Sequence, residues 1–201
     1  VDGFKDFCQE FRADVRIPDA WRVGEGDDGW TVGTRWMTHE RMLYNSPYVT
    51  APAGGHQGRA GAVTAISIAR DAGRLDDPIA RRLIGEALEL EMVGHALQRR
   101  VGQGIRSGAT SDQAAAVGRL FDGIATVRAT TISHELAGAA GVAWEEGDGY
   151  TAETGHDFIM RQVTTIGGGT TEMARNVISE RVLGMPRERT FDKDAPYRDV
   201  P

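Results

Sequence analysis

One carboxylate of the sequence falls where a helix would bury it. Glu40 has apolar neighbours at three and four residues on either side, namely Trp36, Met37, Leu43 and Tyr44. This spacing places the five side chains on one helical face, and the other four make that face apolar. Burial raises the pKa of a carboxylic acid, which suits Glu40 to take a proton from a weakly acidic carbon. A structural ion pair with an arginine of another helix is the alternative that the pattern leaves open.

Arg41 follows Glu40 directly in the sequence. Adjacent residues of a helix do not share a face, so the two side chains point in different directions. The guanidinium of Arg41 could hold an anionic group, and a solvated surface arginine is the alternative.

A second pattern is a run of glycines before a helix start. The stretch IGGGTTEMAR, residues 166–175, has three glycines followed by Thr170 and Thr171. Free backbone N–H groups and two hydroxyls can bind a phosphate or another electron-rich group, and glycine lets a ligand approach the backbone. The stretch is not a P-loop, because it lacks the P-loop lysine and a preceding strand. A tight turn between two helices explains the pattern equally well.

Other residues give weaker signals. Glu91 stands four residues before His95, but two ligands without a third are more typical of a surface pair than of a metal site. Cys8 is the single cysteine, which excludes a disulfide or zinc framework, and nothing near it in sequence would activate the thiol. The sequence therefore predicts no metal.

The elements that would position these residues are mostly helical. Periodicity and capping residues predict helices that start near Asp27, Val63, Pro78, Ser111 and Thr170, with a short helix over 157–165 and a loop over 145–155. Residues 1–17 have the near-alternating pattern of one strand, for which the rest of the chain offers no partner. The predicted fold is all-α, an up-and-down bundle of the four-helix type preceded by a short β remnant.

Composition narrows the classes of protein and partner. The 201 residues include 23 Lys and Arg against 29 Asp and Glu, a net charge of -6, with no basic run. An acidic chain without a basic face argues against a nucleic-acid partner. No apolar run reaches the roughly 18–20 residues of a membrane helix, and the start of the chain has no signal-peptide pattern. The sequence predicts a cytoplasmic protein without a membrane span.

Two long stretches resemble the C-terminal half of the flavin-dependent acyl-CoA dehydrogenases. FRADVRIPDAWRVGEGDDGWTVGTRWMTHER, residues 11–41, is similar to the family stretch that leaves the middle β domain and enters the first helix of the bundle. RQVTTIGGGTTEMARNVISERVLGMPRE, residues 161–188, is similar to the closing motif, in which a Gly-Thr pair opens the last long helix. The resemblance implies the end of the middle β domain over 1–25, the helical bundle over 26–190, and a polar tail over 191–201.

The resemblance implies a reaction and a base. Family members oxidise an acyl-CoA thioester to the 2,3-enoyl-CoA with FAD, and a carboxylate removes the α proton. Most short- and medium-chain members carry this carboxylate directly before the Gly-Thr pair, where this chain has Gly168. The isovaleryl and long-chain types carry it on the first bundle helix, directly before an arginine, where this chain has Glu40 and Arg41. The resemblance thus implies Glu40 as the catalytic base and places Arg41 beside the acyl-CoA substrate.

The same matching implies contacts with the cofactor. Thr170, Thr171 and Glu172 would touch FAD, and the glycine turn from Gly138 to Gly141 would contact the FAD of a neighbouring subunit. The family's Arg-x-x-Phe-Gly on the second bundle helix reads ARDAGRLDDP here, with Arg70 as the candidate substitute.

The resemblance also implies partners and leaves two alternatives. It implies an electron-transfer flavoprotein or similar acceptor, and a homo- or hetero-oligomer, a dimer or a homotetramer. The family's N-terminal helical domain and most of its β domain are not represented, so the chain alone is expected to be incomplete and inactive. One alternative is an acyl-CoA oxidase-like flavoenzyme. The other is a noncatalytic helical assembly domain or partner subunit of a heteromeric dehydrogenase.

Overall fold

The computed structural model describes residues 8–44, 61–143, 145 and 150–187, excluding the side chains of 38, 40–44 and 150–152. The chain divides into two compact units, Val1–Arg59 and Ala60–Pro201. The glycine-rich stretch over 52–62, whose composition indicates a loop or the start of a helix, falls almost entirely outside the described residues, as does the predicted tail over 191–201.

The described part of the first unit consists of an irregular segment, a single 3-10 turn and one helix. Residues 8–17 form no strand, so the predicted strand is absent from the described part of 1–17. A strand needs a neighbouring strand to pair its backbone groups, and the described residues provide none. A 3-10 turn at Asp19–Trp21 follows, and then helix α1, Gly29–Tyr44. The helix predicted from Asp27 is confirmed.

The second unit is a helical bundle. Its α-helices are α2, Ala62–Asp71; α3, Pro78–Arg106; α4, Ala115–Ala137; α5, Tyr150–Met160; and α6, Thr171–Val177. Short 3-10 segments lie at Asp112–Ala114, Gly138–Gly141 and Arg161–Thr165, and a π-helical turn, Ile178–Val182, follows α6. Helix α4 contacts α2, α3, α5 and α6, so it forms the centre of the bundle. The all-α bundle is confirmed.

One predicted boundary is wrong. The stretch predicted as a loop over 145–155 contains the start of α5 at Tyr150. The acidic residues and glycines of this stretch indicate a loop locally, but the helix packs its Phe158 ring against His134 of α4. A tertiary contact therefore overrides the local pattern.

The core is built largely from small residues. Alanines allow helix axes to approach closely, while a few larger side chains fill the space between them. The buried cluster joins α2, α3 and the end of α4 and consists of Ala65, Ile68, Ala69, Ala80, Leu83, Ala87, Ile132, Leu136 and Ala137. No helix in the described ranges is long and apolar enough to cross a membrane.

The start of α3 is fixed as the sequence predicts. The carboxylate of Asp77 accepts the N–H of Ile79 at 2.8 Å, and Pro78 occupies the first turn. Arg74 donates to the other oxygen of Asp77 at 2.8 Å, and this hydrogen bond is the main cause that lowers the pKa of Asp77. Arg74 also donates to the carbonyl of Glu135 at 2.9 Å and to that of Leu136 at 3.2 Å. One side chain thus ties the start of α3 to the end of α4.

Glu91 of α3 caps the start of α2. Its Oε2 accepts the backbone N–H of Ala62 at 3.1 Å, and Gly61 at the cap position supplies no side chain. A Cβ on Gly61 would lie 3.3 Å from that oxygen, so the glycine permits the approach. Glu91, which the sequence pairs with His95 at four-residue spacing, therefore has a structural role as a helix cap.

We expect Glu91→Ala to lower the free energy of unfolding by about 1 kcal/mol, because loss of a cap leaves a helix N–H group without its acceptor. Urea unfolding followed by circular dichroism measures this difference. Glu89→Ala is the matched control, since Glu89 is exposed on the same helix two residues earlier. Equal losses in the two variants would show that the cap contributes nothing.

Candidate functional site

Residues 166–169 form a tight, exposed turn between the 3-10 segment Arg161–Thr165 and α6, and we call it the glycine turn. Gly168 has φ +71 and Gly169 has φ +106, both in the left-handed region that favours glycine. Thr170 then caps α6, because its Oγ1 accepts the N–H of Met173 at 3.1 Å. The sequence pattern allowed either a binding site or a tight turn between two helices, and the structure has the tight turn. Its exposed glycines leave the backbone open to an approaching group.

Two side chains at the start of α6 form a hydrogen-bonded pair. Thr171 is buried, and its hydroxyl lies 3.2 Å from each carboxylate oxygen of Glu172. Glu172 is 75% exposed, and its Oε1 lies 3.6 Å from Nη1 of Arg175. Its own backbone N–H, and then the Thr171 hydroxyl, lower the pKa of this carboxyl group. The turn therefore presents an anionic carboxylate to the surface, and Thr171 holds it.

Arg119 of α4 binds the carbonyl groups of the glycine turn and of the segment before it. Its Nη2 lies 2.7 Å from the carbonyl oxygen of Thr164, 2.6 Å from that of Gly167 and 2.9 Å from that of Gly169. Because Nη2 carries two N–H groups, one of them is shared between two carbonyl oxygens. The sequence did not indicate Arg119 as a site residue, because its local pattern is the same as that of a solvated arginine on a helix surface. The only available signal was the position of Arg119 one helical turn before Gly123.

Gly123 allows α4 to approach the start of α6. A Cβ at this position would lie 3.0 Å from Cγ2 of Thr171 and 3.0 Å from Nη1 of Arg119. A larger residue would have to displace one of these groups. The glycine and the arginine thus bring α4, the glycine turn and the start of α6 together.

The second predicted glycine site forms the end of α4. Gly138 has φ +60 and ends the helix, and Gly141 is buried. A Cβ on Gly141 would lie 3.0 Å from Nδ1 of His134, so only glycine fits without a shift. That Nδ1 is buried and has no hydrogen-bond partner among the described residues.

His134 belongs to a stack that joins α4 to α5. The rings of His134 and Phe158 lie 4.0 Å apart at 16°, and the guanidinium carbon of Arg161 lies 3.7 Å from the centre of the Phe158 ring. Burial, and then the charge of Arg161, lower the pKa of His134. The imidazole is therefore neutral near pH 7 and packs as an aromatic group beside the Gly138–Gly141 turn.

A pocket of about 370 Å³ opens beside the Gly138–Gly141 turn. It lies between the end of α2 and the end of α4 and is lined by Ile68, Asp71, Ala72, Arg74, Ala137, Gly138, Ala139 and Ala140. Its wall is mostly apolar, with one acidic and one basic side chain. Arg70, near the end of α2, is exposed.

The predicted base is not tested by this geometry. Glu40 and Arg41 belong to α1, Gly29–Tyr44, but their side chains lie outside the described ones. They also belong to the first unit, whereas both glycine turns belong to the second. No group of three or more His, Cys, Asp or Glu residues able to hold a metal ion occurs in the described part of the chain.

Comparison with known proteins gives three similar curated sequences. The chain is 29% identical over 194 residues to "Acyl-CoA dehydrogenase IpdE1" of Mycolicibacterium smegmatis, covering 94% of this chain and 45% of that protein. It is 26% identical over 190 residues to the IpdE1 protein of Mycobacterium tuberculosis. It is 28% identical over 193 residues to "Acyl-CoA dehydrogenase FadE26" of the same organism.

These alignments cover nearly the whole of this chain but not of the relatives. The chain spans about half the length of the curated relatives it matches, 45% to 46%. No family model matches the chain, and no solved structure matches it.

Proposed function

We propose that this chain, a homologue of the acyl-CoA dehydrogenases, supplies the C-terminal helical bundle of an FAD-dependent enzyme that oxidises an acyl-CoA thioester to the 2,3-enoyl-CoA. The observation that carries the proposal is the similarity to acyl-CoA dehydrogenases over 94% of the chain. The exposed glycine turn before α6 supports it, because the family resemblance puts cofactor contacts at that turn.

The proposed base is Glu40. It lies on α1 directly before Arg41, while the other position that the family uses for a base is Gly168, which has no side chain. Glu40 takes the α proton of the thioester, and Arg41 lies beside the acyl-CoA. FAD, held by the residues proposed for it, would supply the acceptor for the hydride of the β carbon. The burial predicted for the Glu40 face is not seen at its described neighbours, because Trp36 is 72% exposed and Met37 is 38% exposed. A covering surface from elsewhere in the enzyme would be needed to raise the pKa of Glu40 and strengthen it as a base.

The glycine turn fits a cofactor in its chemistry. Gly168 and Gly169 present backbone without side chains, and Thr170 and Glu172 lie next to them. An anionic carboxylate repels phosphate, so Glu172 suits the hydroxyl or amino groups of FAD rather than its diphosphate. Thr171 is buried, so its part is to orient Glu172 through their hydrogen bond.

The Gly138–Gly141 turn is proposed as a contact with the FAD of a neighbouring subunit. The pocket beside it offers an apolar wall, and Arg70, which is exposed near the end of α2, replaces the arginine of the family's Arg-x-x-Phe-Gly. This role requires a homo- or hetero-oligomer. An electron-transfer flavoprotein or a similar acceptor is the proposed redox partner.

Two alternative functions remain to be distinguished by experiment. An acyl-CoA oxidase-like enzyme would use the same base and the same flavin contacts, and would differ in passing its electrons to oxygen. A noncatalytic assembly domain would need neither Glu40 nor an open glycine turn.

Addition of acyl-CoA thioesters without oxygen should bleach the visible flavin absorption of the intact protein that contains this chain. The bleaching reports hydride transfer to the flavin, so it depends on both cofactor and substrate sites. The visible absorbance is recorded after each of a series of thioesters of increasing chain length is added, and again after air is admitted. Rapid return of colour with release of hydrogen peroxide would indicate the oxidase, and a colourless protein would contradict the proposed function.

A further inference from the structure

We propose that Arg119 is a positioning residue for the cofactor: its guanidinium fixes the glycine turn, so that Thr170 and Glu172 keep the orientation in which they meet FAD. This inference rests on the proposed function of the turn. It assigns a role to a side chain of α4 that does not itself reach the cofactor.

The hydrogen bonds of Arg119 converge on one nitrogen. Its Nη2 lies 2.7 Å from the carbonyl oxygen of Thr164, in the 3-10 segment before the turn, and 2.6 Å and 2.9 Å from those of Gly167 and Gly169. Three carbonyl oxygens directed at one point repel one another unless a cation lies between them. The charge of Arg119 therefore holds together the two ends of the turn.

The glycine turn depends on contacts with other residues for its conformation, because it is made largely of glycine. Gly168 and Gly169 both adopt positive φ, and glycine has more backbone conformations to lose than any other residue. A run of three glycines does not select this conformation by itself. Because Thr170 follows directly and caps α6, any change at Gly169 also moves the start of that helix.

The described hydrogen bonds of the Arg119 side chain all go to carbonyl oxygens at the glycine turn and just before it. No carboxylate forms an ion pair with Arg119 in the part of the chain that the structure describes. Asp122, three residues further along α4, accepts a hydrogen bond from Gln98 at 2.8 Å. Burial raises the pKa of Asp122, and the Gln98 hydrogen bond and the charge of Arg119 oppose this shift. Gly123 completes the contact, because it leaves room for Thr171 against α4. The hydrogen bonds of Arg119 thus go to carbonyl groups, while its charge also acts on the carboxylate of Asp122.

The test compares Arg119→Met, Arg119→Lys and a matched control, Arg81→Met, in the intact flavin-containing protein. Arg81 is exposed on α3 and belongs to neither glycine turn. Hydrogen–deuterium exchange is measured in peptides spanning 164–175, and the dissociation constant of FAD is measured by titration of the apoprotein. The exchange measurement does not depend on activity.

We expect Arg119→Met to speed exchange in this peptide and to weaken FAD binding by about 10-fold, the size seen when an outer partner of a ligand contact is removed. Arg119→Lys should retain most of the affinity, because an ammonium group keeps the positive charge and offers three donors on one nitrogen to the three carbonyl oxygens. Arg81→Met should match the wild type in both measurements.

Unchanged exchange in Arg119→Met would overturn the proposal, and so would faster exchange with unchanged FAD affinity, since Arg119 would then be structural only. Arg119→Gln, which lacks the charge but keeps a donor, replaces the Met variant if that variant does not fold. Failure of the wild-type protein to bind FAD would overturn the proposed function itself. That failure is seen before any variant is compared.

Discussion

Replacement of Glu40 by Gln should reduce the rate at which acyl-CoA reduces the bound flavin to a small residual value while leaving FAD bound. The amide has the size of the carboxylate but cannot accept the α proton at neutral pH. A positioned general base contributes about 10²- to 10⁴-fold to a rate, so the rate of flavin bleaching should fall by that factor. The substrate should still bind, because the change affects the proton and not the CoA contacts.

Anaerobic stopped-flow absorbance of the intact enzyme measures the bleaching rate, and the ratio of flavin to protein absorbance measures cofactor content. Glu25→Gln is the matched control, since Glu25 is an exposed carboxylate that precedes α1. Its rate should equal that of the wild type. Ordinary turnover in Glu40→Gln would remove Glu40 from the mechanism and would direct attention to another carboxylate.

The helices were predictable because their signals are local. Apolar periodicity predicts α1 and α4, and the Asp77 cap with Pro78 at the first turn predicts the start of α3, which the structure has there. The start of α5 at Tyr150 was not predictable in this way. Its sequence is acidic and glycine-rich, and its helix is stabilised by a ring contact with a residue of α4.

The contacts that fix the glycine turn depend on tertiary structure. Arg119 and Gly169 are 50 residues apart, and Glu91 and Ala62 are 29 residues apart. No periodic pattern links residues at such separations, so the sequence could indicate the glycine turn and the start of α2 but not the side chains that hold them. The role of Glu40 stays a prediction for a different reason. It comes from a resemblance, and it concerns a side chain outside the described ones.

A carboxylate at Gly168 should partly restore the activity of Glu40→Gln, because the family resemblance makes the two positions equivalent sites for the base. A side chain has room there, since the nearest atom to a Cβ is Nε of Arg119 at 3.8 Å. The backbone resists it, because φ is +71 and a non-glycine residue in this region costs about 1–2 kcal/mol. The double variant Glu40→Gln, Gly168→Glu should therefore be less stable than Glu40→Gln alone.

The recovery should also be incomplete for an electrostatic reason. The positive charge of Arg119 favours the ionised form of a carboxylate placed beside it, so the pKa of the new group would be low and the group a weak base. We expect bleaching roughly 10-fold faster than in Glu40→Gln but well below the wild-type rate. Glu40→Gln, Gly168→Gln is the matched control, because it has the same backbone strain and no base. Equal rates in the two double variants would show that the positions are not equivalent, and the urea midpoints of both would separate loss of stability from loss of the base.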